Sequence, residues 1–216
     1  MRCSLLCMIN QSAVYREETM ERVGLCQKFT DMAAVKQSKS TDKERILSAY
    51  RAIAYRYSEL GQHCRRVANL SFRVAMRLGT GNTREIYRAA LVHDVGKLFI
   101  NPEILNKPSA LSAREREQID LHSAMGYVYL RTRGVPENIA QMVLLHHGHR
   151  KEKCGYTGGK YPNLGADIIR ACDIFDAITS DRVYHKAMTP EEAMGILKNQ
   201  PEPLPENIIR EIWRCR

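Results

Sequence analysis

Apolar residues recur at Leu60, Val67, Leu70, Val74 and Leu78, an interval of about 3.6 residues that predicts an amphipathic helix. The helical stretch opens at a capping-box pair, Thr41 and Glu44, and stops at Gly79. His63 falls on its apolar stripe. A shorter helix, TREIYRAALVHDVGKL, starts at Thr83 and reaches His93. The next, SAREREQIDLHSAMGYVYLRTRG, begins with a second capping-box pair, Ser112 and Glu115, and runs to Gly134, with His122 three residues after Ile119 and so facing the core. PENIAQMVLLHHG has Pro136 in its first turn and ends at Gly148. A glycine- and lysine-rich loop over 149–163 follows, and then a helix over 164–188 carrying Asp173 on its apolar side. Two last helices, TPEEAMGILKN and PENIIREIWRCR, flank the breaker QPEPLP. No strand or hairpin pattern occurs, so the expected fold is an all-α helical bundle.

Composition narrows this only slightly. A chain of 216 residues, 44% hydrophobic and 26% charged, can bury a full core. Residues 41–216 are expected to form one domain, and residues 1–40, which carry no motif, an N-terminal extension, helical or partly disordered. No apolar stretch approaches the roughly 20 residues of a membrane span, and the opening MRCSLLCMINQSAV is too short for a signal segment, so the expected location is cytoplasmic. The seven cysteines are scattered without a CxxC pair, which predicts free thiols and no structural zinc. The net charge of +9 favours anionic partners, but the charges are spread and interleaved with acids. With 7% aromatic residues and no basic stripe among them, nucleic-acid binding is not expected. A phosphate-bearing small molecule is the expected partner, and a homo-oligomer is compatible with the sequence.

The candidate chemistry lies in the histidines. His63, His93, His122, His146 and His147 sit on, or at the ends of, four apolar helical faces. A lone histidine on such a face is ordinarily a satisfied core residue; five, accompanied by Asp94, Asp173 and Glu59, suggest more. Glu59 precedes His63 by one helical turn, so both leave the helix on the same side. His93–Asp94 and His146–His147 are adjacent pairs at helix ends, where both neighbours can converge on one point. A bundle would bring these groups to a common centre. A mixed nitrogen and oxygen set without thiolate suits Fe, Mn, Mg or Zn (and Ni by the same criterion) at a hydrolytic site, and eight candidate ligands imply two or three ions. Ions about 3.5–4 Å apart would hold a hydroxide and clamp a phosphate oxygen. Lys97, three residues after Asp94, could neutralise a phosphate oxygen or the leaving group.

HDVGK at 93–97 resembles the signature of HD-domain metal-dependent phosphohydrolases. The wider set, ELGQH at 59–63, HDVGKLFINPEILNKP at 93–108, LHSAMGY at 121–127, HH at 146–147 and ACDIFDAITSDRVYHKAMTPEEAM at 171–194, resembles the HD-GYP subgroup. The resemblance covers roughly residues 42–199. It implies a helical bundle holding two or three divalent ions, usually iron or manganese, and hydrolysis of cyclic di-GMP to linear pGpG or GMP. Position by position it implies Glu59, His63, His93, Asp94, His122, His146, His147 and Asp173 as metal ligands. Asp94 and Lys97 are the implied catalytic pair, with Lys97, Arg182 and Lys186 contacting substrate phosphate.

Two positions depart from the subgroup. Gly148 stands where its paired histidines are followed by glutamate, and Gly155-Tyr156-Thr157 lacks the proline of Gly-Tyr-Pro. The ligands are intact and the naming tripeptide is degenerate. The expected activity is therefore a metal-dependent phosphodiesterase on cyclic di-GMP or a related cyclic dinucleotide. A phosphohydrolase on another nucleotide or phosphate ester, and a catalytically weak binding module, are the alternatives.

Overall fold

In a computed structural model of the chain, the described residues are 40–147, 163–181 and 186–216. The extension expected over 1–40 therefore lies outside the described residues save Ser40, as do Gly148, the 149–162 loop and Arg182. The described residues form α1 (Asp42–Arg56), α2 (Ser58–Leu78), α3 (Thr83–Leu91), a 3-10 turn (Val95–Phe99), α4 (Pro102–Leu105), α5 (Ala113–Asp120), α6 (His122–Thr132), α7 (Glu137–Leu145), α8 (Leu164–Thr179), α9 (Pro190–Lys198) and α10 (Glu206–Cys215). Helices account for all of the regular structure there, as the 3.6-residue pattern predicts.

The helix ends follow local chemistry. Thr41, Ser112 and Thr189 each close a capping box with the glutamate three residues on. Only the first two were expected. Gly79 ends α2 at φ 67°, and Gly134 follows α6 at φ 74°, both in the left-handed region that glycine adopts without steric cost.

Besides the helix expected over 164–188, which ends at Thr179, three expected helices prove divided or shorter. The 41–79 stretch breaks at Tyr57, whose φ of −141° and ψ of 87° are not helical, so α1 and α2 are separate elements packed on one another. The helix expected to reach His93 ends at Leu91. The stretch from Ser112 to Gly134 divides at Leu121. At the second and third of these ends, a histidine ring occupies a carbonyl near the helix terminus.

Helix α2 is the centre of the bundle. It packs on α1, α3, α8 and α10, while α6 packs on α7 and on the 3-10 turn. Ile53, Val67, Val74, Ile86, Leu130, Ile139, Ile168, Ile169, Ile208 and Ile212 are fully or almost fully buried in one continuous core. Each such side chain contributes about 1.5–3 kcal/mol by leaving water. Cys64, Cys172 and Cys215 are buried free thiols. None of the helices among the described residues is long and apolar enough to cross a membrane.

A close backbone approach sets the position of the HDVGK segment. A β-carbon at Gly96 would collide with the carbonyl of His122 and lie 2.7 Å from the amide nitrogen of Gly126. Only glycine lets the 3-10 turn lie flat on the start of α6. That contact brings Asp94 beside His122.

Candidate metal centre

Three histidines share one local device. His93, His122 and His146 each lie just beyond the last residue of a helix (α3, α5 and α7), where carbonyls lack intrahelical partners. Each ring turns back on its own segment, and Nδ1–H donates to the carbonyl three residues earlier: to Ala90 at 2.8 Å, Ile119 at 2.6 Å and Val143 at 2.6 Å. A carbonyl only accepts, so Nδ1 holds the proton and Nε2 points away from its helix. All three Nε2 atoms face a common interior.

Two further groups of ligand atoms meet there. His122, His146 and His147 bring one ligand atom each within 4.8 Å of one another, and so do His63, His93 and Asp173. Asp94, 1% exposed, lies between the two groups. Its Oδ1 is 3.2 Å from His122 Nε2, and its Oδ2 is 3.4 Å from His93 Nε2 and 4.0 Å from His63 Nε2. Asp173 Oδ1 is 2.9 Å from His63 Nε2 and 3.7 Å from His93 Nε2. Lys97 Nζ donates to Asp94 Oδ2 at 2.6 Å.

The electrostatics divide the cluster. Burial alone would raise Asp94 and Asp173, but Lys97 and His93 around the first, and His63 and His93 around the second, hold both carboxyls well below the usual range. Burial would lower His63 and His93, yet Asp173 and Asp176 raise the former, and Asp94 with its neighbours raises the latter. On the other side, burial and neighbouring imidazoles press His146 well down and His147 from 6.5 to about 4. One half of the cluster thus pairs anionic carboxylates with imidazoles that hold their protons more tightly; in the other, His146 and His147 are neutral imidazoles.

These residues fit divalent cations. His93 Nε2 is fully buried and has no hydrogen-bond partner, a costly arrangement for a polar atom. His122 Nε2 faces His147 Nε2 at 2.9 Å and His146 Nε2 at 3.4 Å. With Nδ1 of His122 and His146 already committed as donors, this gathers Nε2 atoms around one point beside Asp94 Oδ1. A cation between them would turn that opposition into coordination. Imidazole and carboxylate donors are those of first-row divalent metals and zinc.

Seven of the eight expected ligands are brought together. Glu59 is exposed in the first turn of α2 and belongs to none of the ligand groups among the described residues. Lys186 is exposed beyond α8. Two features went unanticipated. Cys64 brings its sulfur within 4.8 Å of ligand atoms of His93 and Asp94, so a thiol does stand beside the cluster. Asp176 bonds His63 Nδ1 at 2.7 Å and is itself held by Arg66. Its spacing from Asp173, one helical turn along α8, was a readable signal; adjacency of Cys64 to His63 was a weaker one.

Known proteins share the fold and the family. The fold is shared with the L. monocytogenes phosphodiesterase PgpH HD domain, at a TM-score of 0.60 and 21% identity over 77% of this chain and 94% of that one. The chain is 28% identical over 207 residues to the cyclic di-GMP phosphodiesterase response regulator RpfG of Xanthomonas campestris pv. campestris, covering 92% of this chain and 53% of the relative. It is 35% identical over 147 residues to a cyclic di-GMP phosphodiesterase of Thermotoga maritima, covering 64% of this chain and 39% of the relative. It is 33% identical over 141 residues to 3'3'-cGAMP-specific phosphodiesterase 3 of Vibrio cholerae, covering 63% and 30%. The chain thus spans about half or less of the length of these relatives. The profile of the family described as HD domain matches residues 48–202, a span that includes His93 and Asp94. This chain belongs to the HD-domain family.

Proposed function

We propose that the chain is a metal-dependent phosphodiesterase that hydrolyses cyclic dinucleotides, with cyclic di-GMP the first substrate to test and a linear dinucleotide or GMP as product. The observation that carries this reading is Asp94, itself 1% exposed and set between two groups of ligand atoms. Names of the relatives support the substrate class: they include cyclic di-GMP and 3'3'-cGAMP phosphodiesterases, and a PgpH HD domain in complex with cyclic-di-AMP.

His63, His93 and Asp173 would hold one ion and His122, His146 and His147 another, with Asp94 offering one oxygen to each side. Such ions, iron or manganese before others, supply Lewis acidity that makes water nucleophilic at neutral pH and offsets phosphate charge. The remaining work falls to the chain. Lys97 keeps Asp94 ionised with an ammonium carried on a partly exposed side chain, 22% accessible, at the edge of the cluster. That ammonium can meet a phosphate oxygen as negative charge grows on it. Arg182 and Lys186 are assigned to grip the phosphates and hold the substrate against the centre. Glu59, one turn from His63, is kept as a candidate outer ligand.

The test is product analysis with Mn- or Fe-loaded protein and a panel of cyclic di-GMP, 3'3'-cGAMP and cyclic di-AMP, with Asp94→Ala in parallel. Linear or mononucleotide product from the parent alone is expected. Equal turnover by parent and Asp94→Ala, or none by a metal-loaded parent, would overturn the reading. In the last case other phosphate esters become the substrates to try, since the departure at Gly155-Tyr156-Thr157 lies in the subgroup's naming tripeptide.

A further inference from the structure

Among the core histidines whose Nδ1 partner is known, His63 stands apart. His93, His122 and His146 lie at helix ends and orient themselves on a carbonyl of their own segment. His63 lies inside α2, which runs from Ser58 to Leu78. There the carbonyls of the preceding turn belong to the helical ladder. A ring at that position has no local acceptor to spare and needs a partner from another element.

Helix α8 supplies it. Asp173 and Asp176 are three residues apart, so they leave one face of that helix. Between them they grip both nitrogens of the ring: Asp173 Oδ1 is 2.9 Å from Nε2, and Asp176 Oδ2 is 2.7 Å from Nδ1. Asp176 is 7% exposed and does not stand alone. Arg66, three residues after His63 on α2, donates through Nε to Oδ1 at 2.7 Å and through Nη2 to Oδ2 at 2.9 Å. This two-pronged pairing fixes the carboxylate in plane as well as in position.

We infer that Asp176 and Arg66 are positioning residues for His63, holding its Nδ1–H so that Nε2 is the atom offered to the metal centre. The inference rests on the metal-dependent reading above. An ionised carboxylate only accepts, so Asp176 keeps hydrogen on Nδ1, and when a cation takes the place of the proton that Asp173 draws to Nε2, the lone pair it meets is the one on Nε2. Without Asp176 the ring could take the other tautomer or turn about its side-chain bonds, and Nε2 would lose its aim. Outer partners of this kind commonly govern metal affinity by about 10–100-fold.

A purely structural alternative is that Arg66–Asp176 only ties α2 to α8. Equilibrium Mn²⁺ binding separates the two, read from free Mn²⁺ by electron paramagnetic resonance on the full chain, alongside thermal unfolding of metal-free protein. Asp176→Asn is expected to weaken the tightest Mn²⁺ site by about 10–100-fold, with Asp176→Glu recovering part of the loss. Arg66→Ala, at a half-exposed position, should weaken it less. Unchanged Mn²⁺ affinity in folded Asp176→Asn, whatever its melting temperature, would overturn the inference. Should that variant not fold, Arg66→Ala decides: weakened Mn²⁺ binding supports the positioning role and unchanged binding overturns it. A parent chain that takes up no Mn²⁺ would bring down the metal-dependent reading and this inference together, a failure visible before any substitution is made.

Discussion

At the scale of the residue, Asp94 and Lys97 carry the most weight. An ammonium 2.6 Å from a buried carboxylate keeps that carboxylate charged, and breaking a buried pair from one side leaves an uncompensated ion. Lys97→Ala should therefore retain bound metal while lowering kcat by about 10²–10³-fold, as loss of a charge-stabilising donor does. Metal analysis with steady-state kinetics checks both halves. Protonation gives a second expectation at this scale. In the metal-free protein His63 and His93 have pKa values raised above 6.5, whereas His147 is depressed to about 4 and His146 also lies well below 6.5. An incoming cation competes with protons more strongly at His63 and His93 than at His146 or His147. Affinity on the His63–His93–Asp173 side should therefore rise with pH until both raised values are passed. Calorimetry in buffers of different ionisation enthalpy would detect the released protons.

At the scale of the element, helix ends and one close approach decide the geometry. The capping boxes are local, and Ser112→Ala should cost about 1 kcal/mol of stability, measured by denaturant unfolding, without moving the site. Gly96 behaves differently. Its missing side chain is what admits the 3-10 turn against the backbone of His122 and Gly126. Gly96→Ala should cost at least the roughly 1–3 kcal/mol of an overpacked core and separate Asp94 from His122, lowering metal affinity as well. A variant of parental stability and metal content would contradict that account of HDVGK. Both effects originate in short sequence stretches, but only the first could be anticipated from the sequence, because a capping box needs no partner from elsewhere in the chain.

At the scale of the whole molecule, the centre is a cross-link. Its ligand atoms come from α2, the turn after α3, the junction of α5 and α6, the end of α7, and α8. An ion held there joins segments that lie far apart in the chain. Binding at 100 times the dissociation constant adds about 2.7 kcal/mol, or roughly 5–10 °C in Tm for a chain of this size. Chelator-stripped protein should melt lower by that margin and recover on addition of Mn²⁺. A Tm indifferent to metal would contradict occupancy of the cluster.

The sequence by itself determined the helices, most of their ends, and the identity of seven residues that converge, because apolar period and capping chemistry act over a few residues and metal-ligating side chains are few. It also placed Glu59 on the same side of its helix as His63; packing leaves that carboxylate exposed. What tertiary structure decided was the pairing. Asp94 came to lie between two ligand groups because Gly96 lets two backbones touch, and His63 became dependent on Asp176 and Arg66 because a histidine inside a helix has no free carbonyl of its own. Cys64 came to lie beside His93 and Asp94 by the same packing. His63 and Asp176 are 113 residues apart in the chain. No local periodicity reports contacts at that separation; only the packing of α2 on α8 does.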